Sequence, residues 1–179
     1  SFAEYRNWVI INFLLGTAAR ARTLRNIKIE DIFLDEAIVH FNEVKNRKQQ
    51  IIPLSKSLVK IMEEYTDIRD GEPEEYLFCN IYGDKLKSSS LNSAIRRYNL
   101  SRGVEKTSIH LFRHTFAKKW ILRGGDPFRL QKILGHSSMK MVKVYVNMFS
   151  NDLKENYDMF NPLEQFSTNN KSIRLNNMG

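Results

Sequence analysis

The spacing of apolar positions changes several times along the chain, and each change marks an element. Residues 2–15 read as a helix that is largely apolar in its second half and ends around Gly16-Thr17. A short helix over 18–25 is predicted next, followed by Ile27, Ile29 and Ile32 as core positions. Ala37 to Phe41 has the β-branched and aromatic content of a strand. Lys45 to Gln50 is a polar turn, and Ile51-Ile52-Pro53-Leu54 a returning strand. Together these predict an antiparallel hairpin with a basic tip.

Beyond the hairpin the period becomes helical. Ser55 is placed to cap a helix running to about residue 68, with Leu58, Ile61, Met62 and Tyr65 on one face. Asp70-Gly71-Glu72-Pro73 breaks it. Tyr76 to Cys79 reads as a third short strand, and Tyr82-Gly83-Asp84 as a turn. Ser90 is the expected cap of a helix bearing Leu91, Ile95 and Tyr98 and ending near Gly103. Another helix covers 111–122 and stops at Gly124-Gly125. Asp126 then caps a further one, with Pro127 at its first position and Gly135 at its end. Helices over 139–148 and 152–160 follow, and from Ser167 the Asn- and Ser-rich tail is expected to be disordered. The fold class is therefore mainly α with a small three-stranded antiparallel β-sheet, an α+β arrangement. One domain over 1–165 and a tail over 166–179 are expected.

Composition narrows the setting. The 179 residues suit a single domain, long enough to bury roughly two-thirds of its surface on folding. No apolar run approaches the ~18 residues of a membrane span; the best, Trp8 to Leu15, contains Asn12. The start shows no signal peptide and begins in mid-pattern at Ser1, which reads as a fragment whose N-terminal part is missing. Cys79, the single cysteine, lies in the apolar run Tyr76-Leu77-Phe78 and reads as a buried, inert thiol in a reducing, cytoplasmic compartment. The net charge of +8 suits a polyanionic partner, though charge alone discriminates poorly.

The chemistry lies in the C-terminal half. His110 and Arg113 are three apart in Ser108-Ile109-His110-Leu111-Phe112-Arg113-His114, a spacing that puts both on one face of a helix. A guanidinium fork bonds two phosphate oxygens, and an imidazole moves protons near neutral pH. Leu134-Gly135-His136-Ser137 supplies a second imidazole just after a helix end, and Tyr145 stands nine residues later. Each of these alone is more often a packing or surface residue than a functional one. His110 and His114 at i, i+4 resemble half a zinc site, but Leu111 stands where a zinc protease motif needs glutamate, and no third ligand is evident.

In order and spacing these residues closely resemble the tyrosine recombinases, the family of phage and transposon integrases. The likeness runs from about Ser108 to Asn147 through His-Leu-Phe-Arg-His-Thr-Phe-Ala, Gly-Gly-Asp-Pro-Phe-Arg-Leu-Gln-Lys-Ile-Leu-Gly-His-Ser-Ser and Val-Tyr-Val. Upstream, Thr17-Ala18-Ala19-Arg20-Ala21-Arg22-Thr23-Leu24 resembles the context of the family's first arginine and puts Arg20 in its place, with Arg22 the competitor. Thr23 departs from the usual glutamate. Val44-Lys45-Asn46-Arg47-Lys48-Gln49-Gln50-Ile51-Ile52-Pro53-Leu54 matches the family's hairpin pattern, with Lys45 at the catalytic lysine and Lys48 at the second one. A solvated basic turn touching DNA backbone is the plain reading for Arg47 and Lys48.

The resemblance implies a site of Arg20, Lys45, His110, Arg113, His136 and the nucleophile Tyr145. It implies attack of Tyr145 on a DNA phosphate, a 3′-phosphotyrosyl link and a free 5′-hydroxyl. Arg20 and Arg113 would hold the nonbridging oxygens, His110 would be the base, Lys45 the acid for the 5′-oxygen and His136 a phosphate donor. No metal or other cofactor enters that scheme. Its partner would be a double-stranded DNA recombination site, bound by a homo-tetramer in the synapse, with the chain a monomer without DNA, no membrane involved, a place in the cytoplasm near the nucleoid, and service to a mobile element or to chromosome-dimer resolution. Leu153, Tyr157 and Phe160 form a short apolar stripe that would dock on a neighbouring subunit or fold back on its own domain. His114 and Trp120 read as packing groups or as groups that support the site residues from behind, and Lys118, Lys119, Arg123, Arg129, Lys140 and Lys143 as backbone-contacting or solvated charges. Two other functions remain open: an inactive DNA-binding relative, at which the Thr23 departure hints, and a His-based metal-dependent phosphohydrolase.

Overall fold

The computed structural model describes residues 1–42, 49–135, 139–149 and 157–166. Helix α1 (Phe2–Thr17) starts on a capping box, in which Glu4 N donates to Ser1 Oγ at 3.4 Å while the Glu4 carboxylate faces the Ser1 amine. Its apolar residues Val9, Ile10, Phe13 and Leu14 are fully buried, so α1 is the central rod of the molecule. A turn then leads to α2 (Ala21–Asn26), which starts later than the predicted 18–25 because Ala18 adopts a left-handed φ of 55°.

Strands β1 (Ile32–Phe33), β2 (Ile38–Phe41) and β3 (Gln50–Pro53) form an antiparallel sheet in that order. The predicted hairpin is β2–β3, with Val39 opposite Ile52 and both buried. The third strand is not Tyr76 to Cys79. Those residues make single bridges, Tyr76 to Lys28 and Cys79 to Lys85, while Leu77 and Phe78 are buried side by side in the core. A ladder strand alternates its faces, and two consecutive inward side chains do not fit one. The edge is taken instead by Ile32 and Phe33, opposite Val39 and Ile38.

Helix α3 (Lys56–Arg69) begins on Ser55, whose hydroxyl accepts from Leu58 N at 3.3 Å, as its sequence predicts. Helix α4 (Ser88–Leu100) begins two residues before Ser90, the expected cap; Lys87 is its N-cap and makes no side-chain bond. The large core gathers α1, α3, α4 and the sheet around Phe13, Tyr65, Phe78 and Ile95. Cys79 is buried, and its carbonyl accepts from buried Arg6 at 2.6 Å.

Helices α5 (His110–Leu122), α6 (Pro127–Leu134) and α7 (Lys140–Phe149) enclose a second, smaller core of Ala117, Ile121, Leu130, Leu134 and Val142. Asp126 caps α6 by accepting from Arg129 N at 2.7 Å. The α5–α6 turn is tight: a Cβ on Gly125 would lie 2.4 Å from the Trp120 indole, whose Nε1 donates to Asp126 O at 3.0 Å. Short helices α8 (Tyr157–Phe160) and α9 (Pro162–Phe166) end the described chain. The expected tail from Ser167 lies outside the described residues, as does the first half of the 152–160 helix. Among the described residues no helix is long and apolar enough to cross a membrane.

Candidate active site

The site forms where α1, α5 and α6 end or begin near one another. Thr17 is fully buried and bonds Phe13 O at 2.7 Å, while its hydroxyl also accepts from Ala19 N at 3.3 Å. With Ala18 in its left-handed turn, this locks the exit from α1. Arg20 follows in extended backbone (φ −76°, ψ 149°) as the N-cap of α2, its side chain exposed. Thr23, which stands in the place of the family's glutamate, is buried.

His110 and Arg113 lie in the first turn of α5. The Arg113 guanidinium is half-buried and spans two helix ends, donating from Nη1 to Ala18 O at 2.8 Å and from Nη2 to Leu134 O. Arg20 Nη2 reaches the same Leu134 oxygen at 3.3 Å. Two cations therefore converge on one carbonyl, at the C-terminal and partially negative end of α6. Burial, and then the neighbouring Arg20, push the Arg113 guanidinium down to about 10, with Tyr145 pulling it back up. It is charged at neutral pH, and its crowding is of the kind that an incoming anion relieves.

Tyr145 sits in the middle of α7, half-buried, and packs on the smaller core. Burial raises its phenol above the ordinary value of 10, and Arg113 opposes that rise. Its hydroxyl meets Nδ1 of His114, a residue read from sequence as a packing group. His110 is exposed at the head of α5. Lys45 and His136 lie outside the described residues, so the structure brings together Arg20, Arg113 and Tyr145 and leaves those two aside.

Gln50 is a second residue that sequence reading passed over. Its Nε2 donates to Lys132 O at 2.6 Å and Ile133 O at 2.8 Å, tying the foot of the hairpin to the last turn of α6. The signal that could have found it was its place in the hairpin pattern, two residues past Lys48. Gly135 completes that turn at φ 60°, and a Cβ there would lie 3.1 Å from Gln50 Oε1. Among the described residues no three His, Cys, Asp or Glu side chains gather to hold a metal.

The sequence profile of the phage integrase family matches residues 1–151. The chain belongs to the phage integrase family. Within it, the tyrosine recombinase of Pseudothermotoga lettingae is 29% identical over 166 residues, covering 92% of this chain and 56% of that protein. The crystal structure of XerA recombinase shares the fold with a TM-score of 0.73 and 30% identity, over 88% of this chain and 57% of that one. XerH site-specific recombinase, solved bound to palindromic difH substrate as a post-cleavage complex, gives a TM-score of 0.71 at 25% identity, over 87% and 46% of the two chains. The mainly helical fold with its small three-stranded sheet is thus that of the family's catalytic domain. The chain spans about half the length of the curated relatives it matches.

Proposed function

We propose that the chain is the catalytic domain of a site-specific DNA recombinase that cuts and rejoins strands through Tyr145. The observation that carries this reading is the convergence of Arg20 and Arg113 on one oxygen beside a half-buried tyrosine. Pentavalent phosphorus gathers negative charge on its nonbridging oxygens, so two preset guanidiniums stabilise the transition state more than the ground state. Tyr145 attacks, the 5′-oxygen leaves, and the phosphodiester energy is kept in the protein–DNA link. An α5 imidazole receives the tyrosine proton, Lys45 supplies one to the 5′-oxygen, and His136 donates to the phosphate. The scheme calls for no metal, because the guanidiniums and Lys45 provide the cationic field.

Double-stranded DNA at a recombination site is the proposed partner, and the solved complex of XerH with its substrate supports that choice. We extend the reading to a mobile-element integrase that assembles as a tetramer on DNA. Tyr157, Phe160 and Leu163 leave more than 60% of their surface exposed on α8 and α9 and suit subunit docking. Residue 153 of the expected stripe lies outside the described residues.

Incubation with nicked duplexes of randomised sequence, with and without EDTA, tests the chemistry. An SDS-stable protein–DNA adduct from the wild type that Tyr145→Phe abolishes is the expected result. Arg113→Ala is expected to keep DNA affinity nearly intact and to lower adduct formation by about 10²-fold or more. Binding without any adduct would mark an inactive relative, and hydrolysis lost on chelation a metal enzyme.

A further inference from the structure

Two histidines stand one turn apart at the head of α5, and the structure separates their surroundings. His114 Nδ1 lies in hydrogen-bonding contact with the Tyr145 hydroxyl, and the two rings are 6.0 Å apart between centroids at 48°. Among the described residues, the hydrogen-bonding partner of the Tyr145 hydroxyl is His114 and not His110. The partners come from α5 and α7, helices locked together through buried Ala117, Ile121 and Val142. A phenol hydroxyl donates, and a ring nitrogen bearing no hydrogen accepts, so the contact is satisfied with the His114 proton on Nε2. A phenol whose ionisation is opposed by burial has little phenolate at neutral pH and needs an acceptor in place when it attacks.

We propose that His114 is the residue that takes the Tyr145 proton. This rests on the strand-exchange reading of the site and deepens it. In the forward step the Tyr145 O–H bond breaks, its proton passes to His114 Nδ1, and the oxygen forms the new bond to phosphorus. The bond from phosphorus to the 5′-oxygen breaks, and that oxygen takes a proton from the acid on its own side. In the return step a 5′-hydroxyl attacks, the tyrosyl oxygen leaves, and the His114 imidazolium gives the proton back. Atoms and charge balance, and no oxidant or outside co-reactant enters.

The neighbourhood suits a group that alternates between neutral and charged. On its own helix His114 has Arg113 beside it, with His110 and Lys118 one turn to either side. Across the contact, α7 offers Tyr145 amid Met141, Val144 and Val146. Arg20, at the head of α2, shares the Leu134 carbonyl with Arg113, and α1 contributes the Ala18 carbonyl. The imidazolium forms as the phosphate acquires charge, so the two changes offset one another. His110 is then available to donate to a phosphate oxygen.

Adduct formation over pH, in single turnover with the nicked duplexes, tests the assignment in wild type and His114→Gln. In the wild type the rate is expected to rise with pH and then level, as for a base that must be unprotonated to act. His114→Gln keeps a hydrogen-bonding side chain and is expected to be slower by about 10²-fold at neutral pH. That deficit is expected to shrink only toward strongly alkaline pH, because burial holds the Tyr145 phenol above its ordinary value and delays its unaided ionisation. A structural role would leave the same deficit at every pH. Histidine ring-nitrogen NMR of the uncomplexed chain gives a second readout: Nδ1 of His114 unprotonated, with a signal that moves in Tyr145→Phe. An unchanged profile in His114→Gln, or a proton resident on Nδ1, overturns the proposal while wild-type adduct formation upholds the function reading. Absence of adduct from the wild type counts against the function reading itself, and the NMR then decides the contact alone.

Discussion

Arg20 and Arg113 hold like charges close together in a half-buried site, with backbone carbonyls as their acceptors. Two like charges placed close together favour an anion between them, so the site should prefer one. Sodium sulfate at constant ionic strength is therefore expected to raise the wild-type Tm further than that of Arg20→Ala, measured by calorimetry. Binding to the native state alone adds about 1.4 kcal/mol at a ligand concentration ten times Kd. General salting-out acts on both proteins and cancels in the difference; equal increments would count against the pair as an anion seat. The arginines were legible in the sequence through spacing and through the Thr-x-x-Arg context. The contact of His114 with Tyr145 was not. Its i, i+4 relation to His110 says that both share a helix face, whereas its contact with Tyr145 depends on how α7 crosses α5, which no local spacing encodes.

Caps and breakers carried the helix boundaries. Ser55, and the Asp126-Pro127 start with its Gly135 stop, act locally, so the sequence predicts them and the structure has them. Ser90 misled because Lys87 opens α4 without any side-chain bond. The third strand misled for another reason. Apolar content predicts burial, and Leu77 and Phe78 are buried, but pairing belongs to two-residue β1, too short to show any alternation. The end of α6 is the element on which most of the site depends. Its last three carbonyls serve Gln50 and the two arginines, and Gly135 turns the chain out at φ 60°. Gln50→Ala is expected to lower stability by about 0.5–1.5 kcal/mol, and Gly135→Ala by about 1–2 kcal/mol, in urea melts. Both should slow adduct formation while leaving every proposed catalytic group in the chain. A Gly135→Ala protein as stable as wild type would mean that the turn relaxes at no cost.

At the scale of the molecule, the large core fixes α1 and the hairpin, the small one fixes α5 to α7, and Ile133 packs against both. The proposed site draws a residue from each side of that junction. The charge of +8 gives the whole surface a long-range pull on DNA, with Lys140 and Lys143 exposed on the helix that carries Tyr145. Binding is expected to weaken linearly in log–log terms with salt, and Lys143→Ala to flatten that slope by about one on every sequence tried. A change in sequence preference instead would mean that Lys143 reads bases. The shared Leu134 carbonyl has a further consequence, which concerns heredity. Because one backbone oxygen anchors both arginines, whatever displaces that carbonyl misplaces the pair at once, whereas loss of either arginine leaves the acceptor in place for the other. Substitutions that tilt the end of α6 would behave genetically as arginine mutations although no charge had changed, so selection on this site reaches residues that never meet DNA.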